Sequence, residues 1–368
     1  MVNKKIAVIS PSQLEQVNET FIRAHVDLLD NTKFLYGGRV PYYAEGGERV
    51  IRFTFFSKLV YKLKRKLNLT VLSYNEYECA AYLKKNNFTT ILAEYGDVGA
   101  EMTIIAKELN LELFVHFHGA DISMHHILDE YGEKYKKMFA YAKNIFSVSN
   151  PMTKKMIELG CDPNKIIKNT YGPGDHFFEV KPDYSKNTIV ALGGFVNQKA
   201  PYFTIMAFAK IVKEIPDAIL YFGGSGPLYN AAVYMAEYFG IEENVVFTGF
   251  VHPKDCSAHI AKGSVFVQHS VTAIAGDTEG TPVAIMEAMA AGLPIVSTIH
   301  AGIPEVVKNN FNGFVVEEKD VDGMAKQIIY LLKNKEKKEE FGKNARQLVK
   351  EKYLLVSHIN RIKTAMGL

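Results

Sequence analysis

Cysteine, one-sided charge and long apolar runs are all scarce in this chain, and each shortage removes a class of protein. Cys79, Cys161 and Cys256 are odd in number and widely scattered over 368 residues. They supply neither a disulfide framework nor a zinc signature, so a reduced, cytoplasmic compartment is expected. A formal net charge of only +3 argues against a dedicated nucleic-acid binder, whose surface is basic throughout. Nothing approaches the ~18 continuous apolar residues of a membrane span, and the apolar run near Met1 is too short for a secretory signal. No solenoid-period repeat or low-complexity tract is visible. What is present is a 48% hydrophobic content, ample for two cores, and a length that favours two domains over one.

Short apolar runs alternate with amphipathic segments from end to end. Residues 6–9, 35–36, 70–72, 90–93, 113–117 and 145–148 read as buried parallel strands, with helical patterns such as 20–29, 76–85 and 130–142 between them. Asn150-Pro151 reads as a helix cap. Gly172-Pro173-Gly174 and Lys181-Pro182 interrupt the pattern, which restarts with strands at 189–192, 218–222, 245–248, 265–268, 295–298 and 314–316. The expected fold class is α/β: two doubly wound, Rossmann-like domains, residues 1–175 and 188–352, joined by a hinge at 176–187. Ligands of such sheets sit at the carboxyl ends of the strands, here in a cleft between domains.

The richest stretch runs from His269 to Glu305. Glu279 is followed by Gly280, Thr281 and Pro282, then by an apolar helical face that contains Glu287 and stops at Gly292-Leu293-Pro294. Thr281 suits an N-cap and Pro282 the first helical position. The helix start would then aim free amides and a positive dipole end at an anion beside Glu279. Eight residues separate the two glutamates, roughly 12 Å on a helix. That is too far for the paired carboxylates of a retaining glycosidase, and it suits the two ends of an elongated ligand with a diphosphate between them.

This spacing, in the string TEGTPVAIMEAMAAGLPIVST, resembles the glutamate-seven-glutamate motif of the retaining glycosyltransferases of family 4, which adopt the GT-B fold. The resemblance spans nearly the whole chain and leans toward enzymes of bacterial exopolysaccharide, capsule or colanic-acid synthesis. It implies that Glu279 holds donor-sugar hydroxyls and Glu287 the ribose. In GT-B enzymes the last helix crosses back to the first domain, a role residues 353–368 would take.

In the loop from Gly193 and Gly194 to Lys199, the glycines allow close backbone approach and the lysine offers charge to phosphate. Family 4 enzymes usually carry arginine where this chain has Gly194, which puts the diphosphate clamp in question. The turn carrying Gly224 and Gly226 resembles the family's loop near the nucleotide, and Val251 lies in a segment resembling the one that meets the base. A dinucleotide-dependent oxidoreductase is discounted, since no suitably spaced acid follows that glycine turn.

In the first half, His118-Gly119 with Asp121 resembles the family's histidine-glycine motif, which places His118 on a sugar hydroxyl or phosphate and Asp121 near the acceptor. His116, His125 and His126 raise the question of a metal, but only Asp121 offers a carboxylate, so none is expected. The segment from Asn18 through Thr20 resembles the family's start of the first long helix, where the acceptor binds. Arg39 either meets an acceptor phosphate or caps a loop. Residues 55–67 form a basic amphipathic stretch that suits an anionic membrane surface or, equally, a solvated face packed on its own domain.

These features predict transfer of a hexose from a nucleotide diphosphate sugar to a saccharide or lipid-linked saccharide acceptor, with retention. Glu279, His118 and Lys199 would act in catalysis, with no cofactor, metal or nucleic acid involved. The enzyme would be cytoplasmic, or peripheral on the inner face of the plasma membrane. The alternatives are a GT-B nucleotide-sugar epimerase and a non-catalytic sugar-nucleotide-binding partner.

Overall fold

A strand whose every residue is apolar must be covered on both faces, and runs of that kind punctuate the chain. The computed structural model describes residues 4–12 and 19–368. The chain divides into two units, Met1–Asn169 with Ile359–Leu368, and Thr170–His358.

The first unit holds a seven-stranded sheet in the order β3-β2-β1-β4-β5-β6-β7. Its strands are β1 (Ile6–Ile9), β2 (Thr32–Tyr36), β3 (Tyr43–Ala44), β4 (Thr90–Glu94), β5 (Glu112–His116), β6 (Asn144–Ser147) and β7 (Ile166–Lys168). All pairings are parallel except that of the short edge strand β3 with β2. The second unit holds a fully parallel sheet, β10-β9-β8-β11-β12-β13. Its strands are β8 (Thr188–Leu192), β9 (Ile219–Gly223), β10 (Val245–Gly249), β11 (Val265–Val267), β12 (Ile295–Thr298) and β13 (Gly313–Val316). Along β8, Ile189 and Ala191 pack into one apolar cluster while Val190 and Leu192 pack into another. Period-two alternation thus serves two buried faces, each covered by helices.

Three local expectations are corrected, and the return of the last helix to the first unit is met. Residues 70–72 are not a strand: side chains of Arg65 and Tyr61 occupy the Thr70 and Leu72 carbonyls, and Thr70 Oγ1 takes the Leu72 amide. The cap of the helix Asn150–Glu158 is Ser149, which accepts from the Met152 amide, with Asn150 and Pro151 inside the first turn. Residues 176–187 are no free hinge, since Phe177 and Val180 are built into the second unit's core. The final helix, Leu355–Met366, joins the first unit from Ile359 onward, where Lys363 pairs with Asp30 at 3.0 Å.

Candidate active site

In the second unit, β8 and β11 are neighbours in the sheet but not in sequence, so the connections leaving their carboxyl ends diverge. Such a switch point leaves a crevice above the strand ends. Here the loops after β8 and β11 line one hollow with Gly193, Gly194, Lys199, Thr204, Gln268 and His269. Lys199 reaches back over its own loop, and its Nζ lies 2.8 Å from Glu279 Oε1. Gly193 makes that possible: its φ is +158°, and a Cβ there would come within 2.9 Å of Lys199 Cδ. Gly194 is different. A Cβ at 194 would meet nothing closer than 3.7 Å and φ is not in the left-handed region, so the fold does not require glycine where the resemblance led one to expect arginine.

The helix carrying Glu287 spans Val283–Ala290, one residue shorter than the sequence suggested. Pro282 is its cap, with φ −61° and ψ 121°, and Thr281 precedes it, buried. A proline φ suits both helix and extended backbone, so ψ decides the boundary. Val283 and Ala284, the first two helical residues, find no acceptor for their amides among the described residues. These are the orphan donors of a helix start. Gly280 faces the other way: its carbonyl accepts from the Gly302 amide at 2.9 Å.

The two glutamates are in opposite electrostatic states. Glu279 has its cation. Glu287 is 7% exposed, and no described side chain or amide bonds its carboxyl. Burial alone pushes its pKa up to about 7, so near neutrality it is poised between acid and carboxylate. Such a group gains from any ligand that offers hydroxyl donors.

Gly224 and Gly226, expected beside the nucleotide, serve the neighbouring loop. A Cβ at Gly224 would come 1.9 Å from the Gly193 carbonyl oxygen, and one at Gly226 would come 2.6 Å from that of Phe195. The Gly193 amide bonds the Gly223 carbonyl, and the Phe195 amide the Ser225 carbonyl. Their glycines are therefore set by backbone-to-backbone packing, with φ of +141° and +150°. Val251 is partly buried against the core that includes Ile260 and Phe266, with its Cγ2 against Gly223.

In the first unit the site residues surround Glu94, at the end of β4 and wholly buried. His25 Nδ1 stands 2.7 Å from Oε1, His118 Nε2 3.0 Å and His116 Nδ1 3.7 Å from Oε2. Burial works against the charge on Glu94, but the positive charge of His25 and the surrounding imidazoles outweigh it and hold the carboxyl well below the usual range. Burial drives His116 down to about 3, so it stays neutral. His118 lies between the rings of Phe21 and Tyr95, each 4.6 Å away. Its Nε2 is turned to Glu94.

His25, Glu94 and His116 offer three donor atoms within 4.8 Å of one another, a cluster the sequence reading missed when it tested only Asp121. Ligands of a tetrahedral zinc stand ~3.3 Å apart, whereas the 2.7 Å His25–Glu94 contact is a hydrogen-bond distance. The geometry therefore suits a charge network better than a metal cage. Asp121 is not presented to an acceptor. Its carboxylate takes the amides of Gly96, His118 and Gly119 at 2.9, 3.1 and 2.8 Å, so it shapes the histidine-glycine loop. Arg39 pairs with Asp97 at 2.5 Å and lies 5.0 Å from the Tyr131 ring, which favours its loop-holding role. Thr20 opens the helix Thr20–Leu28. Asn18 lies outside the described residues.

Residues 174–348, which take in the whole of the second-unit site, match the family Glycosyl transferases group 1. That match takes in just under half of the chain, and these residues are similar to a group 1 glycosyl transferase domain. Among its relatives, a glycosyltransferase named for colanic acid biosynthesis, WcaL of Escherichia coli (strain K12), is 30% identical over 64% of this chain and 60% of its own length. The amylovoran biosynthesis glycosyltransferase AmsK of Erwinia amylovora is 32% identical over 58% of this chain and 54% of its own. The chain thus spans less than two thirds of these relatives. Anabaena Alr3699/HepE, solved in complex with UDP-glucose, superposes with a TM-score of 0.78 at 15% identity, covering 99% of both chains. The group 1 domain and the unit before it together form a GT-B fold.

Within the group 1 domain, two residues escaped the sequence reading. His300 Nε2 accepts the Glu279 amide at 3.1 Å, and its Nδ1 lies 2.6 Å from Glu318 Oε1. In the first unit, His25 and Glu94 were missed in the same way. No motif links residues 69 positions apart.

Proposed function

We propose that this chain is a retaining glycosyltransferase. It moves a hexose from a nucleotide diphosphate sugar to a lipid-linked saccharide acceptor in bacterial surface polysaccharide synthesis. The observation that carries the reading is the contrast across one short segment: Glu279 ion-paired to Lys199, and Glu287 buried, without a hydrogen-bond partner among the described residues, and raised to about 7. An acid already neutralised suits sugar hydroxyls beside a phosphate cation, and an acid awaiting donors suits ribose. The names of WcaL and AmsK, and the UDP-glucose bound by HepE, agree with this reading.

In this reading the second unit takes the donor and the first unit the acceptor. The bond from the anomeric carbon to the diphosphate breaks as the acceptor oxygen enters on the same face, and the acceptor proton passes to the departing phosphate. The protein supplies position and charge stabilisation. Lys199 and the amides of Val283 and Ala284 meet the developing negative charge, so no resident metal or cofactor is invoked. His118, held by Glu94, orients the sugar.

Gly194 favours a second reading, a sugar-nucleotide-binding partner without turnover, because the usual arginine is missing there. One experiment separates these and an epimerase. The protein is incubated with a panel of nucleotide sugars, with and without a polyprenyl-diphosphate-linked saccharide. Transfer to the lipid supports the proposal. Conversion of donor without acceptor means an epimerase, and binding without turnover means a partner.

Membrane attachment is part of the proposal. In the helix Phe55–Lys66 no residue is buried; Phe55 is 86% and Phe56 73% exposed, and Leu59 and Leu63 join them. Lys58, Lys62, Lys64, Arg65 and Lys66 accompany this apolar surface. An apolar stripe flanked by lysine fits an anionic bilayer better than a domain face. No helix among the described residues is long and apolar enough to cross a membrane. Replacing Lys62, Lys64, Arg65 and Lys66 by glutamate should abolish co-sedimentation with anionic vesicles; retained binding, or none in the parent, removes the membrane from the proposal.

A further inference from the structure

Glu279 is fastened at its backbone as well as at its carboxylate. Its amide donates to His300 Nε2 at 3.1 Å, so that nitrogen carries no proton and the imidazole proton sits on Nδ1. There it faces Glu318 Oε1 at 2.6 Å. Glu318 also receives the Thr272 amide on Oε2 at 3.0 Å and the Thr272 hydroxyl on Oε1 at 3.3 Å. Between Thr272 and Glu279 the chain makes a tight turn, with the Ala273 amide on the Asp277 carbonyl and the Gly276 amide on that of Ala273. Both ends of this turn are therefore held by one side-chain pair. Ile274 at its tip packs on nothing and is fully exposed, so the apolar core does not hold the turn there. His300 itself is buried.

We propose that the Glu318–His300 pair is a clasp, and that His300 is a positioning residue that sets the Glu279 carboxylate against the donor sugar. The inference rests on the glycosyltransferase reading for its consequence, though not for its geometry. Only the Nδ1–H tautomer works, because an Nε2–H would point a donor at the Glu279 amide. The carboxylate of Glu318 selects that tautomer. An amide in its place cannot serve, since the Thr272 amide claims the one oxygen and leaves an NH₂ facing Nδ1.

The test has a structural arm and a kinetic arm. In protein labelled with ¹⁵N-histidine, His300 should give the Nδ1–H signature, and Glu318→Gln should move the proton to Nε2. A parent spectrum showing Nε2–H overturns the clasp whether or not the protein transfers sugar. In the transfer assay, His300→Leu should lower turnover at least 30-fold while UDP affinity stays within about twofold. His300→Gln, whose amide spans the same two partners, should recover to within about fivefold of the parent. Equal loss in both variants, or none in either, overturns the positioning role. Should His300→Leu fail to fold, Glu318→Gln, which keeps every heavy-atom position, should lower turnover at least tenfold; parent-like turnover overturns the proposal. No transfer by the parent overturns the glycosyltransferase reading and the positioning role with it, while the clasp is still judged by the spectrum.

Discussion

The two units solve opposite problems with the same side chains. Around Glu94 the first unit closes a buried charge with imidazoles, and Asp121 is filled by three backbone amides. Around Glu287 the second unit leaves a buried carboxyl without a hydrogen bond among the described residues, and the amides of Val283 and Ala284 without acceptors among them. Interiors normally complete such bonds, because an unmade one costs about 1–3 kcal/mol. The first cluster is thus built to hold shape, and the second is left to be completed by a ligand.

That contrast can be broken most sharply at Glu279. Changing it to alanine should cut turnover about 10³-fold, ~4 kcal/mol of transition-state stabilisation, yet cost stability only about 2 kcal/mol, because the pair with Lys199 keeps side-chain exposures of 12% and 21% and so lies between a surface and a buried pair. Steady-state kinetics beside thermal melting would test both halves; a parent-like rate would remove Glu279 from the reaction. Glu94→Gln should act the other way round, costing about 3 kcal/mol of stability because it strips the counter-charge from buried imidazoles. A denaturant midpoint that does not move would show the network to be idle.

Glu287→Gln should make the protein more stable, on the order of 3 kcal/mol at pH 8. The sign follows from a folded pKa raised to about 7, above the ordinary 4.5. Between those values the native state holds a proton that the unfolded chain has lost, so the glutamate's contribution is full below about 4.5 and lost as pH rises through 7. Melting the two proteins at pH 4.5 and pH 8 should therefore give equal midpoints at the first and a gap at the second, with weaker UDP binding in the variant. Lys199→Ala should weaken UDP binding about tenfold, ~1.4 kcal/mol by calorimetry; unchanged affinity would contradict the phosphate role. The smallest effect is expected from Gly194→Arg, which should fold normally and tighten UDP binding about threefold; a misfolded variant would show that the site is closed to a side chain.

Much of this was legible beforehand where signals are local. Strands such as Ile6–Ile9 and Ile295–Thr298 announce themselves as apolar runs, and Glu279, Lys199 and Glu287 lie in one motif-bearing stretch or its partner loop. Local rules failed where side chains competed with backbone, as at Thr70–Leu72, whose amide and carbonyls are taken by neighbouring side chains. They failed also at Pro282, where φ cannot tell cap from first turn. The long-range partners were beyond any pattern. His300 meets Glu279 across 21 residues and Glu318 across 18, and only the crossing of β12 beside β11 and β13 brings them together.

The contact of Gly224 with the Gly193 carbonyl, where a Cβ would intrude to 1.9 Å, has a bearing on how such a protein could diversify. The two loops dovetail with no slack, so position 224 is frozen to the smallest residue whatever sugar is used. Position 194, thirty residues earlier on the companion loop, would hold a Cβ in ordinary contact, 3.7 Å from Val196. New donor preferences are therefore to be sought by varying 194 against an unchanging jig, and a mutational library spent on 224 would return only broken folds.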